Sequence, residues 1–337
     1  YSSVLSGLTT SEIASGTSGI HVNSNACTDV VGTSATVGSN CGDLDISGSN
    51  SNVTISSGVT VSGSGDQNWT LTNSTGSLWD LVVEDEDDVL NTGTATTLTN
   101  LGTISTGDDW GVYNDTNASF TTLSNSGAIS ASADFGIYNK GLITSMSNTG
   151  TISAGGDWGV YNDASATITT LTNTGTISAA GNNIGIYNAT SSTIATLNNS
   201  QGASGSALTY QGKLPTNYNV IVNSTTDFGK TIFSDVSGQT NFGVHSGSTL
   251  SEGTYSSVLS GLTTSEIASG TSGTVVSGAT RSDWTLANNT GSEWDLVVGN
   301  KDITPDTKTS VVNSVKPNIV LGVNNLTSVT EVNFANM

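Results

Sequence analysis

An acidic residue recurs immediately before an aromatic residue in three successive segments of the chain. The pairs are Asp109 and Trp110, Asp134 and Phe135, and Asp157 and Trp158. Because each pair holds the same place in a repeat, we expect the carboxylates to form one row with aromatic side chains beside it. Stacked β-strands lie about 4.8 Å apart, and glycosidases use two carboxylates roughly 5–9.5 Å apart. The row therefore suits either a glycan-binding strip or a glycosidase pair.

The recurrence of this pattern argues against catalysis. A catalytic pair is one distinctive constellation, whereas these carboxylates return with each repeat and have no basic residue in the same motif. His21 and His245 are isolated and belong to no nucleophile or metal motif. We therefore predict a non-enzymatic protein, and a polysaccharide-degrading or glycan-binding protein remains the alternative.

The densest acidic stretch, Glu84–Asp88, is the one candidate for a metal site. Hard cations such as Ca²⁺ prefer several carboxylate oxygens, which makes Asp85, Asp87 and Asp88 the candidate ligands. The spacing matches neither the EF-hand loop nor the glycine-rich nonapeptide of calcium-binding β-rolls. We predict a solvated acidic loop, keep calcium as the alternative, and predict no other cofactor.

The two cysteines, Cys27 and Cys41, have no zinc-site spacing. One interpretation is a disulfide that closes a turn near the N-terminus, which indicates an oxidising, extracytoplasmic compartment. Such a loop contributes roughly 3 kcal/mol in the chain-entropy treatment. Two buried free thiols are the other interpretation.

The elements that must position these side chains are repeats, because residues 96–200 carry one pattern several times. A Thr-x-Leu-x-Asn unit is followed by Gly-x-Ile-Ser and then by Gly-x-Tyr-Asn. The tyrosines of the last unit lie 25, 23 and 26 residues apart, at Tyr113, Tyr138, Tyr161 and Tyr187. A period of this size is typical of a stacked repeat fold.

Each repeat contains three short strand-like pieces separated by Gly, Asn and Asp, which describes one coil of a parallel β-helix. Three apolar columns are predicted to stack: Leu98, Leu123, Met146 and Leu171; Ile104, Ile129, Ile152 and Ile177; and Val112, Ile137, Val160 and Ile186. Asn100, Asn125, Asn148 and Asn173 should stand at turns and bond along the axis. The fold class is therefore predicted as all-β, a right-handed parallel β-helix with repeats of about 23–26 residues. A disordered chain would not keep this register.

Composition restricts the partners of the chain. Its 337 residues include 7 basic and 27 acidic ones, for a net charge of -20. Nucleic-acid binding is excluded because phosphate contacts need Lys and Arg. No apolar run approaches the ~20 residues of a membrane-spanning helix, so no membrane insertion is predicted.

A cassette occurs twice in the chain. Residues 1–19 recur unchanged at 255–273, and residues 69–83 recur at 284–298 with three differences in fifteen positions. The predicted division is an N-terminal cassette fragment at 1–19, β-helix repeats at 20–209, a C-terminal β-cassette at 210–300 that repeats elements of 1–87, and a tail or connector at 301–337.

These residues resemble a known family. The Thr-Leu-Thr-Asn-x-Gly-x-Ile-Ser coils are similar to the passenger domains of bacterial type V autotransporters, and the stretch from Tyr210 to Val298 is similar to the module before their membrane barrel. The barrel's alternating strands are not found, so the chain would be the exported part. The resemblance implies display at the bacterial surface or secretion, and a structural role in adhesion, filament formation or biofilm.

The duplicated segment also predicts self-assembly. The end of a β-helix is an open sheet edge that invites another chain. Residues 1–19 could dock on a neighbour's coil end, since their internal copy fills an equivalent place. A head-to-tail contact of this kind builds a fibre. The residues expected to carry the contact are Tyr1, Val4, Leu5, Leu8 and Ile13. A tandem duplication without any role in assembly is the alternative.

Overall fold

The computed structural model describes residues 5–6, 18–21, 30–31, 34–41, 44–61, 67–73, 78–85, 89–107, 109–277 and 280–302. In this part of the chain the regular structure is entirely β-strand, with no helix, and parallel sheets form a β-solenoid of about 7 turns. The predicted all-β solenoid is therefore confirmed.

The strands are numbered in chain order. The N-terminal strands are β1 (Leu5–Ser6), β2 (Ser18–His21), β3 (Val30–Val31), β4 (Ser34–Val37), β5 (Leu44–Ser47), β6 (Ser49–Ile55), β7 (Thr60–Val61), β8 (Gln67–Asn73) and β9 (Leu78–Asp85). The repeats contain β10 (Val89–Asn91), β11 (Thr94–Asn100), β12 (Thr103–Thr106), β13 (Trp110–Asn114), β14 (Ser119–Asn125), β15 (Ala128–Ala131), β16 (Phe135–Asn139), β17 (Leu142–Asn148), β18 (Thr151–Ala154), β19 (Trp158–Asn162), β20 (Thr167–Asn173), β21 (Thr176–Ala179), β22 (Ile184–Asn188) and β23 (Thr193–Asn199). The C-terminal strands are β24 (Leu208–Lys213), β25 (Asn217–Val220), β26 (Thr231–Ser237), β27 (Thr240–Val244), β28 (Gly253–Ser260), β29 (Ile267–Ser269), β30 (Ser272–Ser277), β31 (Thr280–Asn288) and β32 (Glu293–Asp302).

Three sheets form the sides of the solenoid. The 13-stranded sheet runs in the order β3-β5-β10-β13-β16-β19-β22-β24-β26-β28-β32-β31-β30. The 10-stranded sheet runs β29-β27-β25-β23-β20-β17-β14-β11-β6-β4, and the 5-stranded sheet runs β21-β18-β15-β12-β7. Each repeat between β10 and β21 therefore gives one strand to each sheet.

The apolar columns expected from the sequence are present. Leu98, Leu123, Met146 and Leu171 pair in register, as do the isoleucines of the second column and the Val/Ile residues of the third. Every member of the three columns is at most 1% exposed. Burial of each side chain contributes roughly 1.5–3 kcal/mol, so the columns form the core that holds the coils in register.

The expected asparagine stack is also confirmed, and it has a counterpart. From Asn100 to Asn173, each amide Nδ2 donates to the next Oδ1 at 2.8 Å. A second ladder of the same kind joins Asn91, Asn114, Asn139, Asn162 and Asn188 at 2.7–2.8 Å. The second ladder was not predicted, although the Gly-x-Tyr-Asn unit contains its residues. Both ladders are buried and satisfy backbone groups where the chain turns.

Parallel pairing does not continue through the two cassettes. β28, β32, β31 and β30 pair antiparallel at the end of the 13-stranded sheet. β1, β9, β8 and β2 form a separate 4-stranded antiparallel sheet. The parallel β-helix predicted for the repeats is thus interrupted by antiparallel pairing at β8 and β9 and gives way to it again from β28 to β32. In the C-terminal cassette, a short turn at Gly291, whose φ is 83°, joins β31 directly to β32, and such a connection requires antiparallel strands.

Candidate functional site: the aromatic column of the repeats

The outer face of the 13-stranded sheet carries the aromatic residues of the repeats. We call this set the aromatic column: Trp110, Tyr113, Phe135, Tyr138, Trp158, Tyr161 and Tyr187. In each strand the glycine and the next residue are both buried. The rings on either side of this pair in β13, β16 and β19 therefore share the outer face, and in β22 Ile184 takes the place of the first ring. A Cβ on Gly111 would lie 3.0 Å from Ile129 Cγ2 and 2.9 Å from the Gly136 oxygen. Only glycine therefore permits this local geometry.

The rings pack against one another both within a coil and between coils. Within a coil, the ring centroids of Trp158 and Tyr161 are 4.9 Å apart. Between coils, Tyr138 and Tyr161 stack at 5.1 Å, and Phe135 stacks on Trp158 at 5.4 Å with an interplanar angle of 11°. Since the faces of the rings contact other rings, the edges are the main surface that the column offers to a ligand.

Two tyrosine hydroxyls of neighbouring coils are held by one carboxylate, Asp163, at the turn after β19. Tyr138 and Tyr161 donate to the two oxygens of Asp163, at 2.9 and 3.0 Å. Burial, followed by the bond to Asp163 and its charge, raises the pKa of Tyr161 to about 12. The same causes raise the pKa of Tyr138. These tyrosines are therefore neutral hydrogen-bond donors at physiological pH. The Lys140 ammonium lies 5.5 Å from the Tyr138 ring centroid, within cation–π range.

The predicted row of carboxylates lies next to the column. Burial, and then the negative charges of Asp109 and Asp157, raises the pKa of Asp134. The three aspartates therefore act on one another as expected for a row, which Asn182 extends by donating to Asp157 Oδ1 at 3.0 Å. A carboxyl with a raised pKa is what a general acid needs. The charged groups that raise the pKa of Asp134, however, are the equivalent aspartates of the neighbouring coils, Asp109 and Asp157.

Each of the two tryptophans of the aromatic column carries an unsatisfied hydrogen-bond donor. The indole Nε1–H groups of Trp110 and Trp158 are buried, and no acceptor is found for them within the described ranges. A buried unsatisfied donor costs about 1–3 kcal/mol, which the packing of the large rings must offset. These unsatisfied donors could not be predicted, because nothing in a local sequence pattern shows where an indole N–H will point.

The other predicted site residues are dispersed. The backbone of Asp85 lies in β9 opposite Gln67, whereas Asp87 and Asp88 lie outside the described residues, so the calcium hypothesis stays a prediction. No group of three or more His, Cys, Asp or Glu residues is placed to hold a metal ion in the described part of the chain. His245 Nδ1 accepts the Gly247 N–H at 3.2 Å.

The cysteine and assembly residues can be followed only in part. Cys41 is disulfide-bonded, but Cys27 lies outside the described residues and the bridge between the two stays a prediction. Leu5 lies in β1 opposite Trp79. The remaining residues of the predicted assembly set, Tyr1, Val4, Leu8 and Ile13, also fall outside the described ranges.

Comparison with known proteins gives no relative. No protein-family model matches the chain, and no curated protein or solved structure matches it significantly. Within the described residues, no helix is long and apolar enough to cross a membrane. The class that the fold defines is a β-solenoid of about 7 turns.

Proposed function

We propose that the chain is a structural protein of the bacterial surface, an adhesin-like passenger of the autotransporter type that is secreted or displayed outside the cell. The observation that carries the proposal is the solenoid itself. The residues that recur between 89 and 200 form its buried apolar columns, its asparagine ladders and its aromatic packing. This is how a long, stiff scaffold is built from repeats. The disulfide at Cys41 supports an oxidising compartment.

Surface charge supports the same proposal. The net charge of -20 keeps elongated molecules soluble and apart. Among the described residues, an ion pair joins Arg281 to Asp283 at 2.7 Å, outside the repeats. The aspartates of the repeats accept hydrogen bonds from uncharged donors such as Tyr161 and Asn182, which suits the acidic surface of a displayed protein.

Self-association is the second part of the proposal, and its geometry is head-to-tail. Among the described residues, no strand pairs with the outer edge of β4 or with that of β29, the two ends of the 10-stranded sheet. All neighbouring strands of this sheet are parallel. The outer edge of β29 in one copy can therefore continue into β4 of the next, and such a contact builds a fibre.

The experiment is display of the chain on a non-adherent laboratory bacterium, fused to a surface anchor. We expect aggregation of the cells or adhesion to glycan-coated or cell-coated surfaces, and electron microscopy of the purified chain should show rods joined end to end. The control is the same anchor without the chain. Release of reducing ends from bacterial or host polysaccharides would replace this proposal with an enzymatic one.

Glycan binding is the second candidate function, and the observation that favours it is the aromatic column beside the carboxylate row. The stacking of the rings weakens the case for glycan binding. Sugars bind aromatic residues mainly through the ring face, and in the column these faces contact other rings. Titration with soluble oligosaccharides tests it. Tyr187→Ala, at the end of the column, should abolish binding if the column is the site, whereas Ile232→Ala, an exposed residue outside the column, should leave it unchanged.

A further inference from the structure

The described strands of the two cassettes pair in the same way. In the N-terminal cassette, Leu5 lies opposite Trp79 and Ser18 opposite Thr70. In the C-terminal cassette, their sequence counterparts make the same pairs: Leu259 with Trp294, and Ser272 with Thr285. We call residues 1–19 the N-terminal segment and residues 255–273 the internal segment. Their acceptors are the N-terminal hairpin (β8 and β9) and the C-terminal hairpin (β31 and β32). The identical segments therefore recognise near-identical hairpins in one register.

The cassettes differ in how the segment is joined to its hairpin. The internal segment is held close, because β30 ends at Ser277 and β31 begins at Thr280. The N-terminal segment is joined remotely, since β2 ends at His21 and β8 begins at Gln67, with β3 to β7 of the solenoid between them. Its pairing with the N-terminal hairpin is therefore not imposed by a tight turn.

The internal segment also has a second attachment. β28 pairs on its other side with β26 of the solenoid, through Leu259 opposite Thr231. Leu259 and Leu262 are 0% exposed, and Trp294 Nε1 donates to the Leu262 carbonyl at 2.7 Å. Within the described residues, β1 and β2 pair only with the N-terminal hairpin. Among the described strands, the internal segment is thus the one that also has a partner strand outside its own hairpin.

We propose that two copies of the chain exchange their N-terminal segments, so that each segment pairs with the N-terminal hairpin of the other copy. Because the same residues meet in the same register, the exchange keeps the backbone hydrogen bonds of the cassette and adds no new interface chemistry. Exchange of identical elements is a common route to dimers. The contact is reciprocal, so it closes as a pair, unlike the head-to-tail contact of the 10-stranded sheet. It does not depend on the proposed surface function.

Single-cysteine variants, mixed in pairs, test the exchange. Ser18→Cys is mixed with Thr70→Cys at high concentration and treated with a short thiol-specific crosslinker without reductant, which leaves the disulfide at Cys41 intact. The matched control is Ser272→Cys mixed with Thr285→Cys, at the equivalent pair of the C-terminal cassette. We expect covalent dimers in the first mixture at a level several-fold above the control.

Two results would overturn the proposal. If the first mixture gives no more dimer than the control, while the double variant Ser18→Cys/Thr70→Cys crosslinks within one chain, the segment remains in its own copy. If Ser18→Cys crosslinks instead to Thr285→Cys, the acceptor is the C-terminal hairpin, and the contact is head-to-tail. Light scattering on the unmodified chain gives a check without any substitution: the smallest species is expected to be a dimer, and a monomer at every concentration contradicts exchange.

Discussion

At the scale of single residues, the aromatic column combines strong packing with a local defect. Trp110 and Trp158 bury indole N–H groups without an acceptor among the described residues. The equivalent position in the coil between them holds Phe135, which pairs in register with both. Phenylalanine therefore fits this position and has no donor to satisfy.

We predict that Trp158→Phe leaves the free energy of unfolding unchanged or raises it by up to about 1 kcal/mol, because an unsatisfied donor is removed with little loss of ring contact. Denaturant unfolding followed by circular dichroism measures the change. The matched control is Trp294→Phe, which loses the bond to the Leu262 carbonyl and should lower stability by about 1–2 kcal/mol. An equal loss in both variants would contradict this account.

The carboxylate row predicts a pH effect. Burial and the charges of Asp109 and Asp157 raise the pKa of Asp134 in the folded chain. At pH values between the pKa of Asp134 in the unfolded chain and its higher pKa in the folded chain, the folded state therefore binds more protons than the unfolded state. Stability should fall as pH rises through this window and then stay level.

Asp134→Asn should accordingly raise the melting temperature at pH 7 and lose most of that advantage below the unfolded pKa, near pH 3. Thermal unfolding at several pH values measures it. Glu252→Gln, which removes one charge at an exposed position outside the row, is the control. A gain of equal size in the control at pH 7 would assign the effect to net charge and not to the row.

At the scale of elements, the asparagine ladders join each coil to the next. Asn148 Nδ2 donates to Asn173 Oδ1 at 2.8 Å and to the Thr176 carbonyl at 3.1 Å, and Asn148 Oδ1 accepts from Asn125. Asn148→Ala removes buried hydrogen bonds to the coils on both sides and leaves Asn173 Oδ1 without this donor, so we expect a loss of about 3 kcal/mol or more. Exposed Asn182→Ala removes one surface bond to Asp157 and should cost at most about 0.5 kcal/mol. Similar losses in the two variants would show that the ladder has no special role.

Glycines at the coil turns set the closest approach between coils. A Cβ on Gly127 would collide with the carbonyl oxygen of Gly102, and Gly150 and Gly175 meet the glycine of the preceding coil in the same way. Gly127→Ala should therefore lower stability by about 1–3 kcal/mol through overpacking. Gly107 has no heavy atom within 4 Å of its Cβ position, so Gly107→Ala should be neutral. Parallel urea titrations compare the two, and a neutral Gly127→Ala would refute the close approach.

The coil stacks and the first asparagine ladder could be predicted because identical residues recur at a fixed period. Val112 and Ile137, for example, had to meet once the coils were aligned. The burial of both Gly111 and Val112, and with it the face that the rings occupy, could not be predicted, since it depends on the contact with Ile129 in another strand. The direction of pairing in the cassettes depends on which distant strand lies beside β28, and a repeat pattern carries no information about that.

At the scale of the whole molecule, the two largest sheets end differently at the C-terminal side of the solenoid. The 13-stranded sheet turns antiparallel at β28 and continues into the C-terminal cassette, which covers Tyr255, Leu259 and Leu262 to 1% exposure or less. The 10-stranded sheet ends in β29 without a further strand among the described residues. The charge of -20 opposes association of any uncovered edge, and salt screens that repulsion. Because the C-terminal cassette covers the end of the 13-stranded sheet, it should limit where copies of the chain can join.

Truncation after residue 271 tests the cassette as a cap. It removes β30 to β32, and with them the antiparallel partner of β28 along Gly253–Ser260. The freed backbone groups and the uncovered apolar side chains should make the truncated chain self-associate, and more strongly at high salt. The matched control ends at residue 302, so it lacks only 303–337 and should behave as the full chain does. Sedimentation velocity at low and high salt measures both proteins. If the truncated chain associates no more than the control at either salt concentration, β28 needs no covering strand and the cassette does not act as a cap.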